Sequence, residues 1–202
     1  MSLILIPGGI IRRNPPITLA VLYHTAFPLS TNGDTVFGRG NNMAKVILIC
    51  GKICSGKTTY AERIKISENA IVLSSDDAVL RLFGHYLGDE HERIAEKVEK
   101  YLLDQSLNIL ATGTSVILDW GFWTKKERQE IYQFYCLHGY TPTWHYITVT
   151  DSVWTRNIQT RNRLVVSGQL QAFHIDTNLM LKFQEMFEEP DPSEMNQIIE
   201  NT

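Results

Sequence analysis

Gly51-Lys52-Ile53-Cys54-Ser55-Gly56-Lys57-Thr58-Thr59 follows directly on the apolar run Val46-Ile47-Leu48-Ile49-Cys50. Gly51, Gly56, Lys57 and Thr58 fit the pattern G-x-x-x-x-G-K-[ST]. Each type has a physical reason. The glycines let the backbone curl so that successive N–H groups face one point. A helix starting there presents its free N–H groups and positive dipole end. Lys57 adds a cation for the β- and γ-phosphates of a nucleotide, and the Thr58 hydroxyl is a hard oxygen for Mg²⁺. Ser55 and Thr59 complete the nucleotide-binding stretch. Cys54 lies inside it, either as a small residue at a variable position or as a thiol acidified by the helix N-terminus.

Working outward, apolar strand patterns alternate with helical ones. Val46 to Cys50 predicts a strand covered on both faces. A helix is expected from Lys57 to about Ser67, and a second strand over Ile71 to Ser74. Glu90 to Ala111 has apolar residues at three-to-four spacing, with Gly113 as its stop. Val116 to Leu118 predicts a third strand. Thr124 and Glu127 have capping-box spacing for a helix ending at Gly139. Trp144 to Val149 predicts a fourth strand. Asp151 or Ser152 is expected to cap the next helix and Asp176 another, on which Met180, Phe183 and Phe187 share a face. Gln197 to Ile199 closes the series as a short strand. Such alternation predicts an α/β fold, a parallel sheet with helices on both faces.

Residues 1–43 read differently, as a poorly structured leader or a misassigned start, with the folded domain at 44–202. Short apolar pieces there are broken by Pro7, Pro15, Pro16 and Pro28. Arg12 and Arg13 follow the first piece, whereas a signal peptide places its charge before it. Loss of folding on deleting residues 1–42 would count against this reading.

The chain has 202 residues, 44% hydrophobic and 20% charged, the composition of an ordinary globular protein that builds a core without disulfides. A formal net charge of -3 supplies no broad basic surface for long nucleic acid. Its 3 cysteines, without zinc-like pairing, suit a reducing cytoplasm, and no apolar run is long enough for a bilayer.

A GTP switch would need an Asn-Lys-x-Asp guanine reader, and the sequence has none. A hydrolytic motor usually follows its Walker B aspartate with a glutamate. Here the third strand ends Ile117-Leu118-Asp119-Trp120. Asp119 can serve Mg²⁺ through water, but nothing beside it activates water, which favours transfer to another acceptor. The second strand ends Ser74-Ser75-Asp76-Asp77, at the sheet edge where ligands bind in such folds. One of the two carboxylates can orient an acceptor hydroxyl and take its proton, or both can simply begin a helix. Arg156, Arg161 and Arg163 follow the fourth strand, either as a lid that neutralises the transferring group or as a solvated basic face. Trp120, Phe122 and Trp123 offer rings for stacking on an acceptor, or core under the next helix. His85 and His91 flank an expected acceptor loop, Arg81 to Glu90, with no further ligands gathered for a metal.

GKICSGKTT, the Ser74 to Asp77 strand end, DWGFWTKKER (Asp119 to Arg128), the Arg156 to Arg163 segment and FEEPDPSE (Phe187 to Glu194) together resemble the P-loop kinase superfamily. The branch is that of AAA-type small kinases related to polynucleotide 5′-hydroxyl kinase, chloramphenicol phosphotransferase and zeta-type toxins. The resemblance spans about Lys45 to Asn201. It implies a three-layer P-loop NTPase fold with strand order 2-3-1-4-5, ATP with Mg²⁺ as donor, and a lid after the fourth strand. By its motifs, Gly51, Gly56, Lys57 and Thr58 match Walker A. Asp76 matches the catalytic base and Asp119 the Walker B aspartate. Arg161, then Arg156, match the lid arginine. The Phe187 to Glu194 loop matches the segment beside the adenine. One departure is plain: the polynucleotide kinase pattern has an arginine three residues after the base, where this chain has Val79.

The function expected is an ATP-dependent phosphotransferase acting on the hydroxyl of a small molecule. The alternatives are a polynucleotide 5′-hydroxyl kinase acting on short nucleic acid and a non-catalytic nucleotide-dependent regulator.

Overall fold

The computed structural model describes residues 43–83, 87, 90–170, 172 and 174–202. Residues 1–42 of the leader expected over 1–43, His85 and the side chains of His91 and Phe183 lie outside them.

Five parallel strands form one sheet: β1 (Val46–Cys50), β2 (Ala70–Leu73), β3 (Ser115–Asp119), β4 (Thr143–Val149) and β5 (Gln197–Asn201). Their order is β2-β3-β1-β4-β5, as the resemblance implies. Helices α1 (Lys57–Ile64), α2 (Ser75–Phe83), α3 (His91–Ala111), α4 (Lys125–Leu137), α5 (Asp151–Val166) and α6 (Thr177–Met186) join them. Every residue of β1 is buried, because the pleat sends alternate side chains into two cores. Ile47 and Ile49 meet Ile117, Ile147 and the α1 residues Tyr60 and Ala61. Val46, Leu48 and Cys50 join the larger core, with Leu110, Phe134 and Trp154 from the helices opposite. Each fully buried aliphatic side chain contributes about 1.5–3 kcal/mol, which makes β1 the anchor of the sheet.

The register places the functional strand ends together. Ile49 pairs with Asp119 and Cys50 with Tyr146, so β1 and β3 finish together while β4 runs on to Val149 beside β5. The Thr124–Glu127 capping box forms as expected, with both reciprocal bonds at 3.1 Å. Some boundaries differ from the expected ones. Helix α1 stops at Ile64 rather than Ser67. Helix α5 is capped not by Asp151 or Ser152 but by Thr150, whose hydroxyl accepts from Val153 N. Asp151 becomes the first helical residue, where its charge complements the dipole. Strand β5 runs two residues past Ile199, and Glu200 and Asn201 still pair with Thr148 and Val149. Polar residues at its end hid this extension from an apolar pattern.

Candidate active site

The β1–α1 loop departs from ordinary backbone at three places. Gly51 (φ 150°) and Gly56 (φ 102°) use conformations that L side chains rarely adopt. A Cβ at Gly51 would sit 2.5 Å from the Ile147 carbonyl oxygen, and one at Gly56 would sit 2.6 Å from Asn201 Nδ2. Cys54, with φ 57°, takes the left-handed region without being glycine. The loop bends back on Lys57, whose Nζ donates to the carbonyls of Gly51 (2.8 Å) and Lys52 (3.0 Å). Thr58 Oγ1 donates to Asp119 Oδ2 at 2.6 Å.

Burial dominates the electrostatics here. It pushes the Asp119 carboxyl above the usual carboxylate range, against the pull of Lys57 and the Thr58 hydroxyl. It also lowers the Lys57 ammonium, against Asp119 and Asp76. Burial likewise raises the Cys54 thiol, outweighing Arg161 and Lys57, so the acidified-thiol reading does not hold in this structure.

A cavity of ≈ 690 Å³ opens in front of the loop. Lys57, Thr58, Thr59, Asp76, Asp119 and Arg161 all line it. Leu80, Trp120, Leu164 and Ile175 add apolar wall. Gly51 and Ser55 do not reach it; both are buried behind the loop and act through its shape. Asp76 and Asp77 open the first turn of α2, so the helix-start reading and the cavity reading both hold. They differ in partners. Asp77 is bound by Arg81 through both carboxylate oxygens, at 2.9 and 2.8 Å. Asp76 makes no hydrogen bond or ion pair among the described residues, and its charge is felt by Lys57.

Arg161 comes to the cavity, with Nη1 4.0 Å from Cys54 Sγ. Arg156 does not: it is exposed, outside the cavity lining, because the face of α5 carrying Trp154 and Ile158 is the one that packs inward. Val79 is 1% exposed, packed against Ala95 and Val98, so the position of the expected acceptor-binding arginine belongs to the core. Trp120, Phe122 and Trp123 are core residues, at 5%, 4% and 5% exposure. Trp120 stacks on Phe122 and donates Nε1 to the Leu73 carbonyl at 3.0 Å.

The Phe187 to Glu194 segment, expected beside the adenine, lies away from this cavity. None of these residues lines the cavity. They fasten the start of α4 instead. The Glu188 carboxylate accepts from Lys125 N (2.7 Å), and Glu188 N donates to the Trp123 carbonyl (2.9 Å). The buried Arg128 donates to the carbonyls of Phe122 (3.3 Å) and Glu188 (3.0 Å). DWGFWTKKER and FEEPDPSE are thus two halves of one clasp. Trp154, Asn157 and Asn201, whose side chains donate to the loop carbonyls, were not singled out from sequence, though Asn157 and Asn201 also line the cavity. Only the spacing of 154, 157 and 161 along one helical face could have marked the first two.

The residues present fit a magnesium–nucleotide. Thr58 Oγ1 and Asp119 Oδ2 are two hard oxygens already side by side. Arg161, which lines the cavity, has its Nε buried with no hydrogen-bond partner among the described residues. Mg²⁺ typically takes one or two protein ligands with phosphates and water. Among the described residues no group of three or more His, Cys, Asp or Glu gathers to hold a metal, and no helix is long and apolar enough to cross a membrane.

Sheet order, loop and strand ends together define the P-loop NTPase fold of the small-kinase type. The AAA domain family matches residues 46–190, well over half of the 202, and the chain belongs to that family. Solved structures of similar fold include a candidate kinase from Chloroflexus aurantiacus, at TM-score 0.62 and 17% identity, covering 79% of this chain and 89% of that one. A gluconokinase from Sinorhizobium meliloti follows at TM-score 0.50 and 14% identity, covering 79% and 82%. A sugar kinase from a Janibacter species aligns at TM-score 0.50 and 14% identity, covering 78% and 85%. No protein of curated function matches the chain.

Proposed function

We propose that this protein binds ATP with Mg²⁺ in the cavity and transfers the γ-phosphate to a hydroxyl of a small-molecule acceptor. One observation carries the reading: the Thr58–Asp119 pair, Lys57 and the unpaired Asp76 all face one cavity. When bound, Mg²⁺ neutralises charge building on the phosphate oxygens. Lys57 and the loop N–H groups hold the phosphates in place. Thr58 and Asp119 would hold the metal. Asp76, free of Arg81, orients the acceptor hydroxyl and takes its proton. Arg161 presents its guanidinium to the transferring group, and the apolar wall excludes water that would otherwise compete as acceptor.

The cavity gives little support to a polynucleotide acceptor. Val79 is core, and Arg81 is committed to Asp77 on the exposed side of α2. A cavity lined on its acceptor side by Asp76, Leu80 and Ile175 suits a small acceptor without phosphate. The test uses purified protein, Mg²⁺ and γ-labelled ATP. Pooled sugars, nucleosides, aminoglycosides and phenicols are offered, and separately a 5′-hydroxyl oligonucleotide, with Lys57→Ala as blank. Label on a small molecule is expected. Label on the oligonucleotide alone would replace this reading with the nucleic-acid one. ATP binding without transfer to any acceptor would favour the regulator.

A further inference from the structure

Six successive carbonyls of the β1–α1 loop each meet a donor. Lys57 Nζ takes those of Gly51 and Lys52. Tyr60 N takes that of Gly56 as α1 begins. The three between are held by side chains from elsewhere in the chain. Trp154 Nε1 donates to the Ile53 carbonyl at 2.7 Å. Asn157 Nδ2 donates to the Cys54 carbonyl at 3.0 Å. Asn201 Nδ2 donates to the Ser55 carbonyl at 2.8 Å.

In a trans peptide the carbonyl and the following N–H point in opposite directions. Anchoring the Ile53 and Ser55 carbonyls therefore turns the N–H groups of Cys54 and Gly56 the other way. The Cys54 bond meets a different need. Its peptide's N–H, on Ser55, closes a turn on the Lys52 carbonyl at 3.1 Å. Cys54 itself is left-handed, a strained conformation for a non-glycine residue that persists only where surroundings impose it. Asn157 is the side chain placed to impose it. Trp154 is well founded for its part, at 2% exposure in the main core, with Lys52 Nζ 5.3 Å above its ring. Asn201 adds to the demand for glycine at 56 that its φ of 102° already sets, since a Cβ there would press on its amide.

We infer that Trp154, Asn157 and Asn201 are positioning residues that clamp the loop, Trp154 from the core and the two asparagines from the cavity rim, and pre-form its phosphate cradle before a ligand arrives. The inference rests on the phosphate-binding reading of this loop. It gives one face of α5 two tasks: Trp154 and Asn157 fix the loop, and one turn further on Arg161 enters the cavity. A cradle ordered in advance costs less to organise on binding, which is the general source of preorganised affinity.

The test uses Trp154→Phe, which keeps the ring and removes only the N–H, with Asn157→Leu and Asn201→Leu. Asn157→Gln retains an amide donor. Two readouts are taken on the full chain. The first is amide hydrogen exchange over residues 53–57 without ligand, and the second is affinity for inorganic tripolyphosphate, which probes the cradle without a base. Each donor loss is expected to speed loop exchange beyond any change in global stability and to weaken tripolyphosphate binding roughly three- to tenfold, with the melting temperature lowered by no more than a few degrees. Asn157→Gln is expected to recover part of the loss. Unchanged loop exchange and affinity in all three variants would overturn the clamp. Should the wild type bind neither tripolyphosphate nor ATP, the phosphate reading fails, while the ligand-free exchange still decides whether the clamp exists.

Discussion

The Thr58 hydroxyl donates to the Asp119 carboxylate across 2.6 Å, joining the first turn of α1 to the end of β3. That bond and Lys57 are what keep a buried carboxylate tolerable. Burial still wins, and the Asp119 pKa stays raised. The sign follows: a carboxyl whose folded pKa lies above its unfolded value favours folding while protonated, and loses that contribution as pH rises through the folded pKa. At neutral pH ionised Asp119 therefore costs stability. Asp119→Asn is expected to raise the melting temperature of the ligand-free protein at pH 7 by about 2–4 °C, for a gain of about 1 kcal/mol. The gain should fade toward the unfolded pKa of about 3.9. Magnesium-dependent transfer should be lost in the same variant. A lower melting temperature at pH 7 would show that the Lys57 pairing outweighs burial.

Asp76 and Asp77 are adjacent in sequence and separated by their partners. Only Asp77 is tied to Arg81. Asp76→Asn is expected to leave ATP affinity intact and cut transfer about 10²- to 10⁴-fold, the range for loss of a positioned base. Asp77→Asn loosens an exposed ion pair and should leave turnover within a factor of about two, as such pairs contribute little. Single-turnover assays beside equilibrium ATP binding separate the two. Full transfer by Asp76→Asn removes the base assignment.

The sheet and the loop were legible in the sequence because both depend on local chemistry. A run such as Val46 to Cys50 can only be a strand covered twice, and two glycines around Lys57 can only curl. The placing of Asp119 at the end of β3, and of Asp76 just beyond the end of β2, followed from the same alternation. What stayed hidden depends on side chains meeting across long stretches of chain. Asn201 reaches Ser55 from 146 positions away, and Arg128 finds Glu188 60 positions on. Composition has no signal for such pairs. Arg156 and Arg161 illustrate a finer limit: both lie on one helix after β4, and only the packing of Trp154 and Ile158 decides which arginine enters the cavity.

Glu188 supplies a prediction that separates structure from nucleotide binding. Its carboxylate accepts from Lys125 N at the start of α4, and its carbonyl accepts from the buried Arg128. Glu188→Ala is expected to lower stability by about 1–2 kcal/mol, as loss of a helix N-terminal acceptor does. KM for ATP should stay unchanged. Arg128→Met should cost more, because it strands the two buried carbonyls that the guanidinium satisfies. Denaturant titration and ATP kinetics on the same preparations check both. A selective rise in KM for ATP with normal stability would return the segment to the adenine's side.

His145 gives the fold a pH-dependent weakness away from the cavity floor. It is 5% exposed on β4, with Nδ1 3.0 Å from the Tyr60 hydroxyl, which also donates to Gln197 Oε1 at 3.2 Å. Burial holds its pKa below the ordinary histidine value, outweighing Glu68, while Lys45 pushes the same way as burial. A base whose folded pKa is depressed favours folding while neutral. That contribution is complete above the unfolded pKa of about 6.5 and is lost as pH falls toward the folded pKa. Stability should therefore decline below pH 6.5, with a limiting slope of about 1.4 kcal/mol per pH unit from this one group. His145→Gln keeps a polar partner for Tyr60 and cannot take up a proton. It is expected to be less stable than the wild type at pH 7.5 and to flatten the decline between pH 6.5 and 5. Melting curves of the two proteins across that range decide it: an equally steep decline in His145→Gln would assign the acid sensitivity to other groups.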